Sequence, residues 1–197
     1  MASEIGVVGA GAWGTALAKV LTDKGQEITL WCHGAETFRD IAEKQENRAY
    51  LPTIALPPTI KATQSISETL SGKCLIVIAL PSHVVREVLT DAAAKLDDRT
   101  MILCGTKGLE EETAKTMSAL LLDLFGSAAQ SYFAFLSGPT FAVEVARELP
   151  AAVTVAAYDL EVAKSVQELL STQYFRVYTS ADVIGVQMGG VIKNVIA

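Results

Sequence analysis

The sequence has few cysteines, no excess of basic charge and no long hydrophobic run. Its three cysteines, Cys32, Cys74 and Cys104, are widely spaced and form no C-x-x-C or His/Cys cluster. We therefore expect buried thiols in a reducing compartment, and no metal site. Lys and Arg total 16 against 22 Asp and Glu, a net charge of −6, which argues against a nucleic-acid partner. The longest apolar runs, such as Cys74 to Leu80, are too short to span a bilayer.

The residues at the two ends of the chain predict its location and its domain organisation. Met1 to Glu4 leads directly into a predicted strand, with no charged and hydrophobic leader, so we expect a soluble, cytoplasmic protein. At the other end, residues 182–197 form a predicted apolar helix that stops without a cap or a polar tail. We expect residues 1–181 to form a dinucleotide-binding domain. Residues 182–197 would be the first helix of a helical C-terminal substrate domain that is absent from this chain.

Apolar runs of strand length alternate with helical patterns along the chain. This alternation predicts an α/β fold of the Rossmann type, with a doubly wound, mostly parallel sheet and right-handed crossovers. The three prolines of residues 50–59 indicate an extended loop. Strands are predicted at 5–8, 27–31, 60–62, 74–80, 100–104, 132–136, 151–157 and 175–179, and helices at 15–24, 35–46, 65–70, 81–96, 113–125, 141–147, 160–170 and 182–197.

A glycine-rich loop follows the first predicted strand and opens the first predicted helix. In a G-x-G-x-x-G loop the first glycine allows a tight turn, and the second lets the backbone approach a pyrophosphate. The third lets the helix pack closely on the sheet, and the amides at the helix start favour the anion. We therefore predict a dinucleotide site whose loop residues are Gly9, Gly11, Ala12, Trp13 and Gly14.

The end of the second predicted strand bears on the choice between NAD and NADP. A carboxylate there would bind the ribose 2′-hydroxyl of NAD, but the chain has Trp31-Cys32-His33-Gly34 instead. No acid repels a 2′-phosphate at this point, and His33 could donate a hydrogen bond to one. We therefore expect NADP or NAD as cofactor, with NADP at least tolerated. An exposed loop histidine without a role is the alternative for His33.

Polar residues after two later strands, and one lysine in the last helix, are further candidates. Lys107 follows the strand 100–104, and Gly138 and Thr140 follow the strand 132–136. Ligands of open α/β sheets bind at these carboxyl ends, although a surface lysine and a plain capped turn are the alternatives. Lys193 lies among apolar residues, where desolvation would lower its pKa and suit it to proton transfer. A lysine whose charged end reaches solvent is the alternative for Lys193.

Taken together, these motifs resemble those of bacterial NAD(P)-dependent glycerol-3-phosphate dehydrogenases. The set is specific in combination, follows the order of that family and spans essentially the whole chain. The motifs are residues 9–18 (GAGAWGTALA), 30–33 (LWCH), 50–52 (YLP), 81–83 (PSH), 106–110 (TKGLE), 137–142 (SGPTFA) and 185–195 (GVQMGGVIKNV).

The resemblance implies hydride transfer between NAD(P)H and dihydroxyacetone phosphate, giving sn-glycerol 3-phosphate for glycerophospholipid synthesis. It implies that Ala12, Trp13, His33, Tyr50 and Ala142 contact the cofactor. Lys107 would contact both cofactor and substrate, Gly138 and Thr140 the substrate, and Lys193 would be the catalytic proton acceptor.

The resemblance also limits what this chain does alone. The remaining substrate residues of the family, an aspartate and a Ser-Arg-Asn run, belong to the helical C-terminal domain and have no counterpart here. We therefore expect the chain to bind cofactor and to turn over substrate weakly or not at all. A homodimer is compatible with the full-length protein. Two alternatives stay open: a related dehydrogenase acting on β-hydroxy acids, and a non-catalytic nicotinamide-binding module.

Overall fold

The computed structural model describes residues 4–90, 96 and 100–196, with side chains as far as residue 192. The strands are β1 Glu4–Val8, β2 Glu27–Trp31, β3 Glu46–Asn47, β4 Leu51–Ala55, β5 Ile60–Thr63, β6 Leu75–Ile78, β7 Met101–Cys104, β8 Phe133–Ser137, β9 Ala151–Ala157 and β10 Phe175–Ser180. Within the described ranges one sheet of eight strands runs through the molecule, in the order β10-β9-β8-β7-β6-β1-β2-β5, and a two-stranded ribbon pairs β3 with β4.

Helices connect most of these strands, and several begin at a side chain that caps their first turn. Ser65 accepts a hydrogen bond from the Glu68 amide, Thr116 from the Ala119 amide, and Asp159 from the Glu161 amide. The helices are α1 Ala12–Thr22, α2 Ala35–Lys44, α3 Ile66–Leu70, α4 Val85–Thr90, α5 Met117–Phe125, α6 Ala142–Ala146, α7 Leu160–Leu170 and α8 Val183–Ile196, with 3₁₀ turns at Ser82–Val84 and Ser127–Tyr132.

Both faces of the sheet are buried, which explains why its central strands are continuously apolar. Because side chains alternate along a strand, Leu75 and Val77 pack into one core cluster while Ile76 and Ile78 pack into the other. Helices α1, α6 and α7 contribute buried residues to the first cluster, and α3, α4, α5 and α8 to the second. The result is the three-layer α/β arrangement predicted from the alternation of patterns.

Strand direction gathers several loops at one edge of the sheet. Strands β5, β2, β1, β6, β7 and β8 pair in parallel, so their carboxyl ends all lie at that edge. Strand β9 pairs antiparallel with β8 and parallel with β10, so the last two strands run the other way. The chain leaves β1 for β2 on one side and later returns to β6 on the other. The end of β1 is therefore the topological switch point at which ligands of such sheets bind.

Most elements predicted from the sequence are confirmed, including Ala151–Ala157 and Leu160–Leu170 with their limits. The prediction of a loop over residues 50–59 was wrong, because Leu51–Ala55 pairs with Glu46–Asn47. Pro52 is tolerated there because the two-stranded ribbon leaves one side of each strand unpaired.

Two further predictions needed correction. The helix expected from residue 113 begins at Met117, because Thr116 caps it and Thr113 instead bonds to the Glu110 carboxylate. Cys74 was expected to be buried and is exposed, because it lies before β6 and outside the core. Cys32 and Cys104 are buried as expected. The helix predicted over 81–96 begins as the 3₁₀ turn Ser82–Val84 and continues as α4, Val85–Thr90. Residues 91–95 lie outside the described part of the chain, and residue 96 is in a bend.

Neither a membrane span nor a metal cluster is found within the residues that the structure describes. No helix among them is long and apolar enough to cross a bilayer. No group of three or more His, Cys, Asp or Glu side chains among them is placed to hold a metal ion.

Candidate functional site

The three glycines of the first loop have different steric surroundings. Gly9 has a φ of +115°, and a Cβ added to it would lie 2.6 Å from the Ala79 carbonyl oxygen. A Cβ on Gly14 would lie 1.9 Å from the Gly9 carbonyl oxygen, whereas one on Gly11 would meet no atom within 4 Å. The loop therefore needs glycine at positions 9 and 14 for its own packing. At position 11 the missing side chain leaves open space beside the backbone.

Helix α1 begins directly after Gly11 and therefore borders this open space. Gly11 is the N-cap residue, no side chain caps the helix, and its first turn carries no acidic residue. The first amides of a helix lack partners within the helix and attract anions. The loop and the helix start together form a surface that is suited to a phosphate group.

A cleft of about 420 Å³ opens beside the loop at the carboxyl edge of the sheet. Its volume is in the range of small-molecule and cofactor sites. It brings together the predicted residues Gly9, Gly11, His33 and Tyr50, and Ala79, Leu80 and Pro81, which follow β6, line it as well. The complete lining is Gly9, Ala10, Gly11, Trp31, His33, Gly34, Thr37, Tyr50, Ala79, Leu80, Pro81, Val84, Glu87 and Val88.

The end of β2 contributes an aromatic wall to this cleft. The rings of Trp31 and His33 lie with their centroids 5.8 Å apart. The Trp31 indole N–H donates to the Gln64 carbonyl oxygen at 3.2 Å, and the Gln64 amide donates to the His33 carbonyl oxygen at 3.5 Å. The imidazole itself is exposed at the cleft. Residues 31–34 at the end of β2 carry no carboxylate, whereas Glu87 of α4 lines the same cleft.

Lys107 connects the glycine loop to the turn after β8. Its Nζ lies 5.3 Å from the centroid of the Trp13 ring, which is within the range of a cation–π contact. The same Nζ donates a hydrogen bond to the Gly138 carbonyl oxygen at 3.3 Å. The half-buried ammonium therefore lies between two segments that the sequence assigned to cofactor and to substrate.

Trp13 packs closely against the end of β7. A Cβ added to Gly105 would lie 3.1 Å from the Trp13 indole nitrogen. This buried Nε1 has no hydrogen-bond partner within the described residues. Buried polar groups are normally hydrogen-bonded, and this indole N–H is an exception to that rule.

An ion-pair network supports the turn that carries Lys107. The Arg86 guanidinium donates to the two Glu110 carboxylate oxygens at 2.5 and 3.0 Å and to Asp123 at 3.0 Å. Thr113 also donates to Glu110. The hydrogen bonds from Arg86 and then Thr113 lower the pKa of Glu110 to about 2. Glu110 is therefore ionised at neutral pH and joins the Lys107 turn to Arg86 of α4, which in turn bonds to Asp123 of α5.

The turn after β8 places Gly138 beside α8. A Cβ on Gly138 would lie 2.8 Å from the Ala152 carbonyl oxygen, so the turn packs directly on β9. Gly138 also lines a shallow cavity of about 260 Å³ with Gly185, Val186 and Gly189 of α8. Thr140 is buried, and Ala142 is half-buried at the start of α6.

Position 193 lies within helix α8, but its side chain is outside the described part of the chain. Gly190, one helical turn earlier, lines a narrow cavity together with Lys107 and Ser137. Helical periodicity places positions 186, 190 and 193 on one side of α8. The backbone of α8 therefore brings position 193 to the side of the helix that borders the Lys107 site.

The buried thiols near the site are poor nucleophiles. Burial raises the pKa of Cys104, which lines the narrow cavity beside Lys107, to about 11. Burial also raises the pKa of Cys32 to about 12. Both thiols therefore stay protonated at neutral pH.

Sequence reasoning missed two parts of this site. Asn47 is fully buried, and its side-chain amide donates to the Ala10 carbonyl oxygen and to the Thr15 hydroxyl, each at 2.8 Å. Glu110 and Arg86 were not singled out either. The sequence signals were positional: Asn47 lies close to the motif that carries Tyr50, and Glu110 is the last residue of the 106–110 motif that carries Lys107. Their partners are distant in sequence, so no periodicity could reveal the contacts.

Comparison with known proteins gives a consistent set of relatives. A family model of the N-terminus of NAD-dependent glycerol-3-phosphate dehydrogenase matches residues 4–163. A protein of Anaeromyxobacter sp. (strain K) named glycerol-3-phosphate dehydrogenase [NAD(P)+] is 46% identical over 191 residues, covering 97% of this chain and 58% of its own length. A protein of Geobacter metallireducens with the same name is 43% identical over 197 residues, covering 100% of this chain and 59% of its own.

A solved structure agrees with these relatives. The crystal structure of glycerol-3-phosphate dehydrogenase from Coxiella burnetii superposes with a TM-score of 0.91 at 36% identity, covering 99% of this chain and 59% of that one. The chain thus spans just under three fifths of the length of the relatives that it matches.

Proposed function

This chain belongs to the NAD-dependent glycerol-3-phosphate dehydrogenase family, and we propose on that basis that the whole protein interconverts dihydroxyacetone phosphate and sn-glycerol 3-phosphate. The reaction would supply the precursor of glycerophospholipids. One observation carries the proposal beyond family membership: the Lys107 ammonium contacts both the Trp13 ring and the Gly138 carbonyl. A single cation between a nucleotide loop and a second polar turn is suited to a reaction between two bound molecules.

The glycine loop would hold the pyrophosphate of NADP or NAD. The open space beside Gly11 and the uncapped start of α1 support this assignment. The cofactor supplies the hydride when bound, and the protein orients it. Tyr50 and Ala142 would complete its binding surface, with Tyr50 in the cleft of the glycine loop.

His33 would lie near the adenosine ribose, at the end of β2. Its exposed imidazole and the absence of a carboxylate from residues 31–34, at the end of β2, support tolerance of a 2′-phosphate. We therefore propose that the protein accepts NADP as well as NAD.

Gly138, Thr140, Lys107 and Lys193 would form the substrate side of the site. As hydride reaches C2 of dihydroxyacetone phosphate, its carbonyl oxygen gains negative charge. The Lys193 ammonium would donate a proton to that oxygen, and the neutral amine would take it back from the secondary hydroxyl in reverse. Lys107 would stabilise the developing negative charge electrostatically.

For the 197-residue chain itself, the proposal is cofactor binding with weak or no turnover. The boundary between a domain of residues 1–181 and a second domain beginning with residues 182–197 stays a prediction. The homodimer of the full-length protein and the cytoplasmic location stay predictions as well.

A fluorescence titration of this chain with NADPH and with NADH tests the first half of the proposal. We expect saturable binding of both, detected as energy transfer from the two tryptophans, since Trp13 is in the glycine loop and Trp31 lines the cleft. Lys107→Met keeps the length of the side chain and removes its charge, so it should weaken binding while the fold is retained. A folded chain that binds neither nucleotide would contradict the proposal.

A further inference from the structure

Asn47 is the one fully buried side-chain amide in the described part of the chain, and it lies outside every motif that carries the proposed function. It belongs to the short strand β3, far in sequence from the glycine loop. Burying an amide is unfavourable unless its groups are hydrogen-bonded, so its partners indicate its role.

Within the described residues, the Asn47 side chain bonds to Ala10 and Tyr50, which both line the cofactor cleft, and to Thr15 of α1. Nδ2 donates to the Ala10 carbonyl oxygen, between Gly9 and Gly11, and to the Thr15 hydroxyl in α1. Oδ1 accepts from the backbone N–H of Tyr50 at 3.3 Å. One side chain therefore joins the glycine loop to the segment that brings Tyr50 into the cleft.

We infer that Asn47 is a positioning residue that sets the distance between the glycine loop and the Tyr50 segment for cofactor binding. Ala10 and Tyr50 both line the cleft, whereas Asn47 itself does not. The open space at Gly11 is useful only while the loop keeps its conformation, and the Ala10 carbonyl is the point at which Asn47 holds it. This inference rests on the proposed cofactor binding.

Asn47→Asp is the sharpest test, because it keeps the shape of the side chain and the acceptor for Tyr50. An ionised carboxylate has no hydrogen for the Ala10 carbonyl and repels it. When protonated, the same group regains one O–H donor. Charged neighbours should not obscure this change. Glu46 and Arg48 pair with each other at 3.2 Å, β4 has no charged residue, and the first turn of α1 has no acidic one. On α2, which packs against β3, the buried Asp40 pairs with Lys44 at 2.6 Å, and the other charged residues, Glu36, Arg39 and Glu43, are exposed.

The measurement is the calorimetric affinity for NADP+ and NAD+ between about pH 8 and about pH 5.5. For Asn47→Asp we expect affinity about tenfold below the parent chain at the upper pH, the equivalent of one lost hydrogen bond. Affinity should recover towards the parent value as the pH falls. Circular dichroism measured in parallel establishes that the variant is folded.

Thr100→Val is the matched control. Thr100 is also buried and donates across segments, to the Lys73 carbonyl oxygen at 3.0 Å, but it lies at the other edge of the sheet. Its replacement should lower stability and leave nucleotide affinity unchanged at both pH values. Equal losses of affinity in Thr100→Val and Asn47→Asp would show a general effect of lost stability and overturn the inference.

Thr15→Val tests the positioning role of Asn47 if the Asn47→Asp variant does not fold. It removes one of the two acceptors of the Asn47 amide without changing the size of the side chain, and we expect a smaller loss of affinity that does not respond to pH. Parental affinity in a folded Asn47→Asp or in Thr15→Val would overturn the inference. Failure of the parent chain to bind either nucleotide would instead overturn the proposed function.

Discussion

At the scale of single residues, Gly11 and Gly14 should respond in opposite ways to the same substitution. Gly11→Ala adds a methyl group that meets no protein atom within 4 Å, so we expect an unchanged melting temperature. The methyl group occupies the space proposed for the pyrophosphate, so nucleotide affinity should fall by about tenfold or more.

Gly14→Ala places its methyl group 1.9 Å from the Gly9 carbonyl oxygen, so the helix must move away from the loop. The expected cost is about 1–3 kcal/mol of unfolding free energy or more. Thermal melts and nucleotide titrations of the two variants check both statements. A destabilised Gly11→Ala, or a Gly14→Ala as stable as the parent, would disagree with this geometry.

Lys193 is the residue on which the proposed proton transfer depends. In the whole protein, Lys193→Ala should lower kcat by about 10²–10⁴-fold, the range for loss of a general acid. Cofactor affinity should stay nearly unchanged, because the group acts in the transition state. Steady-state kinetics with a parallel nucleotide titration separate the two effects. Near-parental kcat would remove Lys193 from the mechanism.

At the scale of elements, the Lys107 turn depends on the ion pair between Glu110 and Arg86. The pKa of Glu110 is about 2 in the folded chain, against an ordinary value of 4.5. A depressed pKa contributes stability that is present above the ordinary value and is lost as the pH falls towards the folded value. Glu110 therefore stabilises the fold at neutral pH and loses that effect between about pH 4.5 and pH 2.

Glu110→Gln should melt a few degrees lower at neutral pH and lose less stability than the parent on acidification. The exposed Glu112 of the same segment gives the control variant Glu112→Gln, which should follow the parent curve. Melting curves across the acid range supply the comparison. Parallel pH dependence in Glu110→Gln and the parent would show that this pair does not support the turn.

The individual helices and strands show which parts of the fold the sequence alone can predict. Periodic apolar patterns predicted β9 and α7 with their limits. They predicted no pairing for Leu51–Ala55, because Pro52 and the short partner Glu46–Asn47 give no strand pattern. Cross-segment contacts such as Asn47 to Ala10 depend on tertiary packing, which no local pattern encodes. The glycine loop was found because its function constrains adjacent residues.

At the scale of the whole molecule, the alternation of strands and helices predicted the sheet but not the reversal of its last two strands. Helix α6 packs against α1 instead of crossing the sheet, so β9 begins at the edge where β8 ends and runs antiparallel to it. Because the chain turns back along β8, the 138–142 turn lies beside both α1 and α8. Lys107, Trp13 and Gly138 meet there, although the sequence separates them widely.

One rate comparison tests most directly whether the whole protein interconverts dihydroxyacetone phosphate and sn-glycerol 3-phosphate. The measurement is the initial rate of NAD+ and NADP+ reduction by the whole protein with sn-glycerol 3-phosphate, set against the rates with β-hydroxy acids. We predict that the rate with sn-glycerol 3-phosphate exceeds the rate with every β-hydroxy acid by orders of magnitude. Equal or faster turnover of a hydroxy acid, or nucleotide binding without turnover of any of these substrates, would contradict the claim.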